Sequence, residues 1–170
     1  MIHNIQPVVL ALSFGTAGFG YAVFQGINEI VSWRVKQPNP EPSPKFMDQL
    51  KVLVALFRPT VIVLRSCLKS EQWPCSAMTK ERIRKVKAYA IKTNCEVYCY
   101  TREEVRKCFA YYGAKTKEEI ARAIGKLYVE FERLTPPLRR AWDKQHHRML
   151  YFDAIAMGRT YYERELLRRM

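Results

Sequence analysis

The eighteen residues from Pro7 to Phe24 contain the stretch "LALSFGTAGFGYAVF" and carry no charge, and the first acidic or basic residue of the chain is Glu29. A run of this length lies near the lower limit for a helix that crosses a bilayer. It therefore either spans a membrane or opens a folded core, and three features favour the core. Gly15, Gly18 and Gly20 interrupt its middle, and a glycine inside a helix costs about 1 kcal/mol relative to alanine. A secretory leader needs a basic segment ahead of its apolar stretch, and only His3 stands there. The run also divides into apolar "VVLALSF", turn-forming "GTAG" and apolar "FGYAVF". This pattern predicts a buried strand, a short glycine turn and an antiparallel partner, with Ser13 on the central strand and no membrane span.

The remaining chain alternates strands and helices. "EIVSWRVK" (29–36) alternates polar and apolar residues as a third strand does. "QPNPEPSP" (37–44) reads as a proline-rich linker. "KFMDQLKVLVALF" (45–57) presents Phe46, Met47, Leu50, Leu53, Val54 and Phe57 on one helical face, stopped by Pro59. The β-branched "TVIVLRSC" (60–67) is a fourth strand, followed by a loop over 68–78. In "TKERIRKVKAYAIKTN" (79–94), Thr79 is the predicted N-cap, and Ile83, Val86, Ala90 and Ile91 form the apolar stripe. "CEVYCY" (95–100) is a fifth strand. Two helices then begin in capping-box spacing, Thr101 with Glu104 and Thr116 with Glu119, and Gly113 stops the first of them. "LTPPLRRAWD" (134–143) is a connection, and a last helix runs from about 145 to 168. The order predicts a single α/β domain over 1–170: a three-stranded antiparallel meander plus two further strands in a mixed sheet, flanked by helices.

Charge is lopsided: 29 Lys and Arg oppose 16 Asp and Glu, a net of +13. Residues 1–60 hold five basic and three acidic residues, so most of the excess lies in 61–170. A basic domain of this kind suits a polyanionic partner, nucleic acid first. The five cysteines, Cys67, Cys75, Cys95, Cys99 and Cys108, are odd in number and contain no C-x-x-C pair. They suggest reduced thiols in an intracellular compartment, with Cys95 and Cys99 as small buried residues on one strand face.

Four ordered segments resemble the RuvC-like Holliday-junction nuclease superfamily, which has a ribonuclease-H-like fold. They are "VVLALSFGTAGFGYAVF", "RPTVIVLRS", "VYCYTREEVRKCFAYYGAKTKEEIARAI" and "HHRMLYFDAIAMGRTYY", and together they span roughly residues 7 to 162. The resemblance implies two-metal phosphodiester hydrolysis, in which three or four carboxylates hold two Mg²⁺ ions. It places the opening-strand acid on Ser13 and the fourth-strand acid on Arg65, with Ser66 next. In the terminal helix it places acidic ligands at Asp153 and, two turns earlier, at His146, or at His147 if the register slips by one. Only Asp153 keeps a carboxylate. These positions are expected to converge at one end of the sheet as a degenerate site without metal, in which Arg65 is available to pair with Asp153.

Lys80, Arg82, Arg84, Lys85 and Lys87 crowd one helix, Arg139 and Arg140 flank Trp142, and Lys115 and Lys117 stand at a helix start. All nine are candidate contacts to a nucleic-acid backbone, and the resemblance carries that role in particular to Lys115 and Lys117. The sequence thus reads as a catalytically inactive RuvC-like domain without a cofactor, serving as a nucleic-acid-binding or complex-building subunit with possible protein partners. One alternative is an active Mg²⁺-dependent endonuclease built on Asp153, His146 and His147, helped by an acid from Asp48, Glu71 or Asp143. The other is a protein-interaction module that binds no nucleic acid.

Overall fold

The structure, a computed structural model, describes residues 6–15, 18–36, 46–67, 75–137, 140 and 146–169. The uncharged run forms β1 (Val9–Gly15) and β2 (Gly18–Phe24), antiparallel, with Val9 opposite Phe24 and Gly15 opposite Gly18. β3 (Ile30–Lys36) extends the meander beyond β2. β4 (Val61–Arg65) and β5 (Glu96–Tyr100) add on the other side, both parallel to β1, giving the order β3-β2-β1-β4-β5. Among the described residues no helix is long and apolar enough to cross a membrane.

β1 is central, and its period-two alternation feeds two cores. Leu10 and Leu12 face α1 (Phe46–Phe57) and α2 (Ala77–Lys92), whose Leu50, Leu53, Ile83 and Val86 complete that layer. Val9 and Ala11 face the opposite layer, built by α3 (Arg102–Ala110), α4 (Lys117–Leu127) and α5 (Met149–Tyr161). Both layers are dry: Val9 to Leu12, Ile62, Val63 and Leu64 have no exposed surface. A strand buried on both faces needs continuous apolar sequence, which explains the absence of charge before Glu29.

α5 is buried nearly all round, with every residue from Ala154 to Tyr161 in the core. It can lie that close to the sheet because Gly20 of β2 and Gly158 of α5 carry no side chain. A Cβ on Gly20 would overlap the Leu150 backbone, and one on Gly158 would overlap the Phe24 ring. Neither contact can be relieved by a flexible side-chain tip. Gly20→Ala is therefore expected to destabilise by about 1–3 kcal/mol, the usual range for overpacking a tight core. The check is a lowered urea midpoint with an unchanged slope.

Both predicted capping boxes form. Thr101 Oγ1 accepts from the Glu104 N–H while Glu104 accepts from the Thr101 N–H, and Thr116 and Glu119 do the same. Gly113 closes the turn after α3 at φ 73°. Other expectations are corrected. α2 starts earlier, at Ala77, because Ser76 is the cap: its Oγ accepts from the Thr79 N–H at 3.1 Å and bonds the Thr79 hydroxyl at 3.0 Å. The terminal helix is regular only over Met149–Tyr161 and then changes pitch, through a π-helical turn (Tyr162–Leu166) and a 3₁₀ turn (Leu167–Arg169).

Two cysteines also depart from the reading as reduced thiols. Cys67 and Cys75 form a disulfide with their Cα atoms 5.6 Å apart, joining the end of β4 to the approach to α2. An odd count does not forbid one pair, and Cys95, Cys99 and Cys108 remain free. Cys95 and Cys99 are half-buried against the α1–α2 layer. The proline-rich linker 37–44 and most of the 68–78 loop lie outside the described residues.

Candidate functional site

Because β1, β4 and β5 run parallel, their carboxyl ends share one edge of the sheet, the side on which open α/β sheets build ligand sites. Alternation fixes what reaches that edge on the α5 face. Val9 and Ala11 point to α5 and so, two residues on, does Ser13; Val61 and Val63 do likewise, and Arg65 follows them. On α5, Leu150, Asp153 and Met157 fall at i, i+3 and i+7, a stripe that faces the two strand ends. His146 and His147 lie in the turn just before the helix.

These residues enclose a cavity of about 420 Å³. Ser13, Arg65, His146, His147 and Asp153, read from the sequence on three separate segments, all line it. The convergence follows from the topology: β1 and β4 are neighbours, and the small residues along β1 and β2 let α5 settle over them.

Electrostatically the cavity is cationic. Among the described residues, Arg65, Arg102, Arg106 and Lys117 line it together with the single carboxylate of Asp153. Lys117 Nζ donates to Asp153 Oδ2 at 3.2 Å, the two side chains being 30% and 25% exposed. Lys117 is thus a partner of Asp153 beside Arg65, the residue available to it by sequence. Lys117 opens α4, which packs on α5, so its amine arrives at the carboxylate directly, while Arg102 and Arg65 add to the field around it. Burial pushes the Asp153 carboxyl above its ordinary range, and Lys117, Arg102 and Arg65 pull it back. The His146 and His147 rings stack with centroids 4.5 Å apart. Burial, with His147 and Arg148 beside it, lowers the His146 pKa, and its Nδ1 accepts from the Arg148 N–H at 3.2 Å.

The donor set does not suit Mg²⁺, which asks for hard anionic oxygens. Among the described residues, one carboxylate, itself paired with an amine, and the neutral hydroxyls of Ser13, Thr79, Tyr100 and Thr101 stand among four cations. Among the described residues no group of three or more His, Cys, Asp or Glu is arranged to hold a metal. Asp48 is exposed on α1, across the sheet from the cavity; Glu71 and Asp143 lie outside the described residues.

The nine basic candidates separate into different environments. Lys80, Lys85 and Lys87 are exposed on α2. Arg84 is also exposed but is forked onto Glu81 at 2.6 and 2.9 Å. Arg82 folds inward, donating to the Gly18 carbonyl at 3.4 Å over the Phe46 ring. Lys115 is exposed beside α4, and Lys117 turns into the cavity. The backbone N–H groups of Lys115 and Thr116, which point as phosphate donors at a helix start do, are already taken by the Glu119 carboxylate. Arg140 is exposed, and Arg139 lies outside the described residues.

Sequence reasoning misses Arg102 and Arg106, although a signal is present. The Thr101 capping box follows β5 without a linker, so α3 must begin at the carboxyl edge of the sheet. Its first residue is then beside Arg65, whose β5 neighbour is Tyr100.

No protein-family model matches the sequence, and no curated protein matches it. Solved structures do match it in shape. Thermus thermophilus RuvC superposes with a TM-score of 0.64 at 19% identity, over 92% of this chain and 95% of that one. T. thermophilus RuvC in complex with Holliday junction substrate gives 0.63 at 18% identity, over 94% and 96%. Fowlpox virus resolvase, in a complex with substrate Holliday junction DNA, gives 0.55 at 12% identity, over 91% and 98%. Strand order, layering and these superpositions together give the chain a ribonuclease-H-like fold shared with these RuvC-like structures.

Proposed function

We propose that the protein is a RuvC-like domain that does not cleave nucleic acid and instead binds it by backbone contacts, as a binding or complex-building subunit that works without a metal. The observation that carries this reading is the occupancy of the strand-end cavity. Arg65 ends β4 and Lys117 is paired with Asp153, where the fold family's chemistry calls for carboxylates around two cations. The net charge of +13 supplies the long-range attraction to a polyanion, and branched DNA is the first probe to try because two of the superposable proteins are seen with it.

The exposed lysines of α2 test the binding half. Lys80→Glu, Lys85→Glu and Lys87→Glu together leave Arg82 in its docked position and so spare the fold. They are expected to weaken binding about equally for junction, duplex and single-stranded probes. For duplex DNA the log–log salt slope should flatten by about 0.9 for each phosphate that the charge reversal releases. No salt-dependent binding of any of the three probes by the unmodified protein would favour a pure interaction module.

The active-nuclease reading keeps one observation in its favour, since Asp153, His146 and His147 do share the cavity. Its signature is Mn²⁺-dependent cleavage that disappears in Asp153→Asn.

A further inference from the structure

We propose that the Cys67–Cys75 disulfide is a redox-operated tie beside the strand-end cavity. Closed, it holds the first turn of α2 in place; opened by a dithiol, it releases that turn and weakens the grip on a nucleic-acid backbone. The second half rests on the nucleic-acid reading above and gives that surface a means of regulation.

The bond ties together two segments that wall the cavity. Cys67 stands two residues beyond Arg65, where β4 is still fastened to β5 by the Ser66 N–H donating to the Tyr100 carbonyl at 2.8 Å. Cys75 immediately precedes Ser76, the cap of α2, and Ser76 bonds Thr79, which lines the cavity. Packing holds this helix start weakly. The first buried residue of α2 is Ile83, so Ala77 to Arg82 add no buried side chain to the core. The first turn contains no acid and carries Lys80, the wrong charge for the positive end of a helix dipole. Arg82 reaches back to the Gly18 carbonyl only at 3.4 Å. The bond to β4 thus supplies the restraint that packing and charge do not.

The chemistry is confined to this pair. Cys75 is buried, whereas Cys67 keeps part of its surface exposed, so an incoming thiolate has one sulfur to attack. It attacks Cys67 Sγ, the S–S bond breaks, and Cys75 leaves as a thiolate that takes a proton. The second thiol of the reductant then closes on the first to form its own disulfide and frees Cys67, so two electrons and two protons pass from the dithiol to the protein. The other three thiols are held back from exchange. Cys95 donates to the Pro59 carbonyl at 3.2 Å, Cys108 donates to Glu163 at 2.7 Å, and burial raises the Cys99 thiol.

The experiment compares the full chain oxidised, the same chain treated with dithiothreitol, and Cys67→Ser combined with Cys75→Ser. Alkylation reports the two thiols, hydrogen exchange is followed over residues 77–82, and binding of a fluorescent DNA duplex is measured over a salt series. Opening the bond is expected to speed exchange over 77–82 by about tenfold or more, within the usual worth of a disulfide, while the amides of β1 stay protected. The log–log salt slope is expected to flatten by about 0.9, one phosphate contact, as Lys80 loses its fixed place. The double variant should show both changes without reductant and no further change with it; should it fail to fold, the dithiothreitol arm on the unmodified chain decides. A bond that dithiothreitol leaves intact in the folded chain overturns its redox operation. Unchanged exchange over 77–82 after the bond opens overturns the tie, as does loss of protection throughout β1, which would make the bond a staple of the whole fold. Faster exchange with an unchanged salt slope overturns the regulation and leaves the nucleic-acid reading intact. A chain that binds no duplex in either state overturns the nucleic-acid reading and the regulation with it, while exchange over 77–82 still judges the tie.

Discussion

Incubated with four-way junctions, duplexes or RNA in Mg²⁺ or Mn²⁺, the protein is expected to leave every strand intact, and Ser13→Asp combined with Arg65→Glu is expected to gain metal binding. The reason is one of charge. Two unit charges of like sign about 4 Å apart repel by about 4 kcal/mol at an effective dielectric of about 20, and a divalent ion doubles this. Arg65 ends β4 in the space such an ion would need, and the carboxylate facing it is held by Lys117. Among the described residues, the double substitution turns a lining of four cations against one carboxylate into three against three. Ser13 and Arg65 face α5, so the two new carboxylates lie across the cavity from Asp153, where three oxygen ligands can be shared. Isothermal titration with Mg²⁺ and the paramagnetic signal of bound Mn²⁺ are the readouts. Turnover need not return, because Lys117 still holds Asp153. Metal-dependent cleavage by the unmodified protein, lost in Asp153→Asn, would overturn the reading of an inactive domain.

Much of this site is legible in the amino-acid sequence, for a simple physical reason. A strand buried on both faces must be apolar along its whole length, so Ser13 and Arg65 stand out as the polar residues at the ends of β1 and β4. A polar residue at such a place is either at the sheet's edge or costs free energy. Asp153 stands out in the same way, as the one acid in a largely apolar helix. What cannot be read is the pairing inside the cavity. Lys117 is a helix-start lysine by sequence, like Lys115, and only the packing of α4 on α5 separates the inward one from the outward one. Arg82 departs from expectation for the same reason: in an α2 stripe of charges, helical phase alone does not reveal that a long side chain folds back over Phe46. The Cys67–Cys75 bond likewise depends on the distance between the two ends of a loop, which spacing along the chain does not set.

Glu163→Ala is expected to cost about 3–5 kcal/mol, the largest loss of stability for any single substitution outside the apolar core. Arg159 is buried within α5, where its guanidinium donates to Glu163 at 2.9 Å, Tyr128 Oη at 3.1 Å and Tyr112 Oη at 3.0 Å. The Glu163 carboxylate also accepts from Tyr112 Oη and Cys108 Sγ, each at 2.7 Å. One carboxylate thus neutralises a buried cation and satisfies two further donors, joining α3 and the turn after it to α5. Removing one member of a buried pair strands the other charge, which accounts for the expected magnitude. It is a large fraction of the roughly 5–15 kcal/mol typical of a domain. The paired replacement Arg159→Met with Glu163→Leu removes both charges and should cost markedly less than Glu163→Ala alone. Cys108 supplies a second readout. Burial, with the Glu163 carboxylate beside it, pushes its thiol pKa up to about 12, so it should alkylate very slowly in the native protein. In Glu163→Ala that thiol should react faster, as the charge that opposed its ionisation is gone and the end of α5 loosens. A loss below about 1 kcal/mol with unchanged Cys108 alkylation would show that the network is dispensable. The position of α5, and with it that of Asp153, would then rest on apolar packing alone.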